Sequence, residues 1–255
     1  MAQPAGRGAR RGPPPAGIHL FGMQAVILAG GRGERLRPFT ADRPKAMVEV
    51  HGAPLLAYQL RWLRGQGVTD VVIACGYRHE VIVNFFGDGA AWDLRIAYSV
   101  EEEPLGRGGA LKQAMRTLPA ATAPWLATNG DVITDLPLAP ALDQHRSHGV
   151  PATVVVTPFR SPYGIVDVDA RNRVVGFREK PELPYWINAG IYLFSPEVVP
   201  LLPERGDHED TTFPRLAAEG RLGAYRSRAF WRGVDTVKDL AEVARALQEN
   251  PFLRP

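Results

Sequence analysis

The stretch AVILAGGRGERLRPFTADRPKAM, running from Ala25 to Met47, decides how the rest of the chain is read. Its opening residues are apolar or small without interruption, the pattern of a strand covered on both faces. Gly30, Gly31 and Gly33 follow at once. A glycine turn after a strand lets backbone amides approach a polyanion closely, so phosphate is the natural guest. Beyond the turn lie Arg35 and Lys45, each able to neutralise a phosphate. Neither feature decides alone, since glycines also serve tight turns of positive φ and most Lys and Arg side chains are simply solvated. Two common nucleotide motifs are absent: a dinucleotide fingerprint needs glycine where Leu36 stands, and no Gly-Lys-Ser/Thr completes a Walker A loop.

Outward from this turn the periodicity alternates. Leu55 to Arg64 has helical apolar spacing, VTDVVIAC from Val68 to Cys75 reads as a strand, and Glu80 to Phe86 suits a helix. A strand over Leu94 to Val100, a helix over Gly108 to Thr117 and a strand over Pro124 to Thr128 follow, the last ending at Asn129-Gly130-Asp131. Such alternation predicts an α/β fold, a mostly parallel sheet covered by helices. After Asp131 short strands crowd together at Ala152 to Phe159, Gly164 to Asp169, Val174 to Arg178 and Ile187 to Phe194, with a turn at Ala170-Arg171-Asn172. They predict a small antiparallel insertion on the parallel sheet. Helices are expected again at Phe213 to Glu219 and Thr236 to Gln248, and no internal repeat is present.

The chain has 255 residues, 45% hydrophobic and 22% charged, the composition of a globular domain. No run approaches the 18 or so apolar residues of a membrane helix. A single cysteine, Cys75, excludes an internal disulfide and a cysteine-built metal site, which points to a cytoplasmic setting. The net charge of +3 comes from residues 1 to 22, which hold Arg7, Arg10 and Arg11 and no acid; subtracting these three from 30 basic residues leaves 27 against 27 acidic ones. That Gly/Pro-rich basic tail is too poor in apolar groups to order itself. Its Arg10-Arg11 pair is weak as an export signal, because Pro13 to Pro15, His19 and Gln24 interrupt the apolar run. Residues 23 to 255 are expected to form one domain, with Met23 a plausible start.

The segment from Leu28 to Met47 resembles the signature of sugar-1-phosphate nucleotidyltransferases, L-A-G-G-x-G-x-R-L-x-P-x-T-x-x-x-P-K-x-M, at every fixed position. The resemblance continues through EEEPLGRGGAL (Glu101 to Leu111), NGD (Asn129 to Asp131), YGIVDVD (Tyr163 to Asp169), FREKP (Phe177 to Pro181) and INAGIYLF (Ile187 to Phe194), in order. It implies a three-layer, Rossmann-like fold with a sugar-binding insertion. The activity implied is transfer of a nucleotidyl group from a nucleoside triphosphate to a sugar-1-phosphate, with Mg²⁺ as cofactor and pyrophosphate as by-product. No nucleic-acid or membrane partner is implied, and a homo-oligomer stays open. Only 20 residues follow Asp235, too few for the C-terminal β-helix of bifunctional relatives.

The resemblance gives Arg35 the triphosphate and departing pyrophosphate, Lys45 the phosphates at the reacting centre and Lys180 the incoming sugar phosphate. Leu28, Gly30, Gly31, Gly33, Glu101 and Gly106 are expected at the nucleotide; Gly164, Glu179 and Asn188 at the sugar. Asp131 ends a predicted strand, the usual ligand edge of an open α/β sheet, and its hard oxygens suit Mg²⁺. The second ligand is less orthodox. Relatives read W-x-D-I-G-T where this chain has Trp231-Arg232-Gly233-Val234-Asp235-Thr236, so Asp235 either reaches the metal or caps the helix behind it. Tyr185 and Trp186 either line the sugar pocket or pack.

Glu101 stands where thymine- or uracil-binding relatives carry Gln. A carboxylate only accepts hydrogen bonds, and guanine offers it two adjacent donors, which favours GTP if Glu101 rather than Glu102 or Glu103 faces the base. The wording EEEPLGxGGAL is most similar to mannose-1-phosphate and heptose-1-phosphate guanylyltransferases; thymidylyl, cytidylyl and uridylyl transfer remain alternatives. Arg107 replaces a small residue and either reaches the phosphates or obstructs the ribose. A non-catalytic sensor subunit would have lost the charged residues that are present here, and a nucleic-acid-binding domain would rely on the arginine tail. Deleting residues 1 to 22 is therefore expected to leave pyrophosphate release within about twofold of the full chain; a tenfold loss in a coupled pyrophosphate assay would show that the tail takes part.

Overall fold

The computed structural model describes residues 22–118 and 123–249. The expected basic tail, apart from Gly22, lies outside the described residues. In β1 (Met23–Leu28) Ala25 and Ile27 join one core cluster and Val26 the opposite one. Period-two alternation with both faces apolar is what a central strand between two helical layers requires.

After β1 come the short β2 (Glu49–Val50) and β3 (Ala53–Pro54), then α1 (Leu55–Gly65), β4 (Val68–Cys75), α2 (His79–Phe86), β5 (Arg95–Val100), α3 (Gly106–Met115) and β6 (Trp125–Asn129). The second half contains β7 (Val132–Thr134), α4 (Leu138–His148), β8 (Ala152–Arg160), β9 (Ile165–Val168), β10 (Val174–Arg178), β11 (Glu182–Phe194), α5 (Thr212–Ala218), β12 (Leu222–Arg226), β13 (Trp231–Gly233) and α6 (Val237–Glu249). The main sheet has seven strands in the order β12-β8-β11-β6-β1-β4-β5. Every pairing is parallel except those of β11, which runs antiparallel to both β6 and β8.

One face is covered by α1, α2 and α4 through Leu56, Leu60, Ile82, Phe86 and Leu142. The other is covered by α3 and α5 through Leu111, Ala114, Phe213 and Leu216. A third cluster joins Leu36, Val48, Leu55, Ile133, Val234 and Val243, so α6 is packed against the segment that follows the glycine turn.

The first half follows the predicted alternation closely. The expected insertion divides differently: β8 and β11 are full members of the main sheet, and only the β9–β10 hairpin stands apart. Helix α4 lies where sequence periodicity gives no helix. Its Pro140 falls in the first turn, where the missing N–H costs nothing, yet proline weakens the helical pattern on paper. No helix among the described residues is long and apolar enough to cross a membrane.

His208 is fully buried against the rings of Tyr192, Phe194 and Phe213, and neither ring nitrogen has a hydrogen-bond partner. Burial pushes its pKa down to about 4. The unfolded chain then binds the proton more readily, so the stability held by neutral His208 is full above the ordinary histidine pKa and is lost as pH falls through it towards 4. His208→Phe, which keeps the ring and removes the titration, is expected to melt no lower at pH 7.5 and to flatten the decline of Tm between pH 6.5 and 4; an unchanged slope would exclude His208 as the cause.

Candidate active site

A cavity of about 690 Å³ opens beyond the C-terminal ends of β1, β4, β5 and β6. This is the crevice where an open α/β sheet ordinarily receives its ligand. The walls include Leu28 at the end of β1, Gly30 and Gly31 from the glycine turn, Glu101 and Glu102 after β5, Gly106 and Arg107 at the start of α3, and Asn129 to Asp131 at the end of β6 and just beyond it.

Gly33 belongs beneath the site rather than on its wall. It has φ +66°, and a Cβ there would stand 2.8 Å from Cβ of Lys45. The missing side chain is what lets the stem of Lys45 cross the turn, while Ala46 and Met47 anchor that segment in the core.

The Lys45 ammonium lies between two carboxylates, bonding Asp131 and, at 2.6 Å, Asp235. Arg35 reaches the same Asp235 oxygen at 2.7 Å from the rim. Tertiary packing explains this convergence of residues up to 200 positions apart. Leu36 and Val234, the neighbours of Arg35 and Asp235, are both fully buried in the third cluster. β13 pairs with β7, and the Val234 N–H donates to the Asp131 carbonyl at 3.0 Å. Gln59 on α1, itself buried, donates to the carbonyls of Asn129 and Val132 and so braces the loop that carries Asp131. Gln59 had no sequence signal, because in isolation it is one of three polar residues on α1, with Arg61 and Arg64.

The sequence left Asp235 between metal ligand and helix cap. Thr236 takes the cap: its hydroxyl accepts the Asp239 N–H, and the Asp239 carboxylate accepts the Thr236 N–H at 2.7 Å, a reciprocal capping box. The Asp235 carboxylate is left free for the site. Burial alone would raise its pKa, but Lys45 and Arg35 outweigh that and hold it below the ordinary carboxylate value. With Asp131 and Asp235 both in contact with one ammonium, a cation stands where their oxygens converge. Asp131 lines the cavity, Asp235 and Arg35 lie just outside its lining, and the two hard carboxylates together could hold a divalent ion of the Mg²⁺ type.

The lining carries Arg32, Lys45 and Arg107 against Glu101, Glu102, Asp131 and Asp207, so its formal charge is negative by one with all seven ionised. Lys45 and Arg107 are paired with carboxylates, while the Arg32 guanidinium rests over the Tyr77 ring at 5.5 Å. Glu101 is half-buried over Gly30, and one of its oxygens accepts the Leu105 N–H at 2.8 Å, leaving the other for a ligand. Burial holds its pKa above the ordinary carboxylate value, countered only in part by that backbone bond. Glu102 also lines the cavity, whereas Glu103 turns to Arg205 at 3.0 Å.

Lys180 does not line the cavity. It is exposed, has φ +45°, and lies 3.7 Å from Glu179. Gly164 meets Glu179 and Phe177 at the β9–β10 hairpin, also outside the lining. The Asn188 amide is spent within the protein, donating to Glu209 and Tyr192 and accepting the Gly190 N–H. Tyr185 is exposed, and the Trp186 ring packs under the guanidinium groups of Arg226 and Arg228. Arg107 lines the cavity and is held there by Asp207 and Glu209.

The nucleotidyl transferase family model matches residues 24–250. The chain belongs to the nucleotidyl transferase family. Among relatives, a mannose-1-phosphate guanyltransferase of Candida albicans is 38% identical over 225 residues, covering 85% of this chain and 62% of that protein. A mannose-1-phosphate guanylyltransferase of Mycobacterium tuberculosis is 36% identical over 244 residues, covering 91% and 67%. The chain thus spans about three fifths of the length of its fungal relatives. Among solved structures, HddC from Yersinia pseudotuberculosis is similar with a TM-score of 0.72 and 25% identity, covering 88% of this chain and 99% of that one. The nucleotidyl transferase fold and the cavity at its strand ends therefore agree with the motifs read from sequence.

Gly33→Ala is expected to cost about 1–2 kcal/mol from the left-handed backbone alone. It should also push Lys45 off Asp131, reducing any turnover at this cavity at least tenfold while the protein stays folded by circular dichroism; full turnover in a folded Gly33→Ala protein would remove Lys45 from the chemistry.

Proposed function

We propose that this nucleotidyl transferase condenses GTP with a mannose- or heptose-type sugar-1-phosphate, releasing pyrophosphate and leaving a nucleotide sugar. The observation that carries the reading is the convergence of Lys45, Arg35, Asp131 and Asp235 at the open edge of the glycine turn. The identity to mannose-1-phosphate guanylyltransferases supports the choice of base and sugar.

A sugar-phosphate oxygen forms a bond to the α-phosphorus, the bond from that phosphorus to the bridging oxygen breaks, and pyrophosphate departs with the electron pair. Both reactants are polyanions, so the barrier is set by where positive charge and backbone dipoles are fixed. Amides of Gly30 and Gly31 face the phosphates from the turn. Lys45, released in part from its two aspartates, neutralises charge at the reacting phosphate, and Arg35 at the rim attends the leaving pyrophosphate.

Asp131 and Asp235 would hold Mg²⁺. When bound, the ion supplies positive charge to the phosphate oxygens. The net negative lining supports this requirement, because the residues alone do not offset a triphosphate. Glu101 presents its uncommitted oxygen to the base edge, where guanine supplies donors.

A matrix of five nucleoside triphosphates against several sugar-1-phosphates with Mg²⁺, read by pyrophosphate release, tests base, sugar and reaction together. GTP with mannose-1-phosphate or a heptose-1-phosphate is expected to lead, and Asp131→Asn to lower kcat at least about 100-fold. Preference for another base would overturn the guanine reading, and nucleotide-sugar binding without any turnover would make the chain a sensor rather than an enzyme.

A further inference from the structure

Arg107 stands where the EEEPLGxGGAL stretch ordinarily has a small residue, and the structure accounts for it. Its Nε and Nη2 donate to one oxygen of Asp207 at 3.1 and 2.6 Å, and its backbone N–H donates to the other at 2.8 Å. Its remaining Nη1 pairs with Glu209. The second oxygen of Glu209 accepts the Asn188 amide and the Tyr192 hydroxyl, each at 2.6 Å. The Asn188 carbonyl in turn accepts the Gly190 N–H at 2.8 Å. Gly190 has φ +66° and lies so close to Asn129 that a Cβ would stand 2.5 Å from its amide nitrogen. Asn129 lines the cavity two residues before Asp131. A continuous string of bonds and contacts therefore leads from the α3 wall of the cavity, through Glu209 and β11, to the loop that carries the candidate metal ligand.

We propose that Glu209 is a positioning residue that, through Arg107, Asn188 and Tyr192, locks the α3 wall to β11 and so sets the seat of the acceptor sugar phosphate. This rests on the function proposed above and adds to it. Arg107 faces two carboxylates, so an incoming phosphate meets no free cation there; breaking the pairs would strand charges in a half-buried place. Both Asn188 amide hydrogens are donated within the protein, to Tyr192 and Glu209, which fixes the side chain's orientation on β11. Nucleotide binding is insulated from the lock, because the start of α3 is also pinned by backbone bonds: Gly206 N–H to the Leu105 carbonyl at 2.7 Å and Gly108 N–H to the Gly206 carbonyl at 2.9 Å.

The test uses the full chain, GTP, mannose-1-phosphate and Mg²⁺, with steady-state pyrophosphate release, GTP affinity by calorimetry and Tm for each variant. Arg107→Met and Glu209→Gln are each expected to raise KM for the sugar phosphate about tenfold, with kcat within about threefold and GTP affinity within about twofold. The double variant is expected to be no worse than the poorer single one, since both cut the same string, whereas independent effects would multiply to about 100-fold. If Glu209→Gln does not fold, Arg107→Met with Asn188→Ala runs the same cycle, since each of the two residues bonds Glu209. Multiplying effects, an unchanged KM, or GTP affinity that falls as far as KM rises would overturn the lock while leaving the transferase reading intact. Absence of turnover by the unsubstituted chain across the whole substrate matrix would instead overturn both.

Discussion

The Lys45 ammonium held between Asp131 and Asp235 is the contact on which the site depends. Each partner comes from a different part of the chain, and each is delivered by packing that has nothing to do with charge. Gly33 clears the path for the lysine stem. Gln59 braces the Asp131 loop from below. The β7–β13 pairing and the burial of Val234 deliver Asp235. The apolar core thus fixes the geometry, and the charged groups inherit it.

This arrangement changes the electrostatic description of the cavity. Two of its three lining cations, Lys45 and Arg107, are paired with carboxylates, so the wall is organised without being strongly basic. Paired charges of this kind are prepositioned, and under the proposed function an arriving metal with a triphosphate, which brings both signs, would exchange partners with them. Arg107 illustrates the same economy: a cation inserted into the wall is accompanied by Asp207 and Glu209, and the net charge hardly changes.

The glycine turn, the strand before it and the α/β alternation up to Asp131 were legible because they are local. Strand periodicity is carried by consecutive residues, as in β4, where Val68 to Cys75 is apolar at nearly every position. Helix α4 was not legible, since Pro140 in its first turn obscures a pattern completed only by Leu138, Ala141 and Leu142 meeting the sheet. The division of the second half was hidden for a related reason. Strands β8, β9, β10 and β11 look alike in sequence, and only their partners decide which enter the main sheet.

By itself the sequence determined the fold class, the phosphate-suited turn and the identity of the charged residues, because backbone geometry and residue chemistry are properties of short segments. Tertiary structure alone decided which of those residues meet. It freed Asp235 by giving the cap to Thr236, left Lys180 out beside Glu179, and spent Asn188 and Arg107 on Glu209. The physical reason is range: a hydrogen bond or ion pair acts over a few ångströms, and whether positions 100 or 200 residues apart come that close is set by burial of the apolar side chains between them.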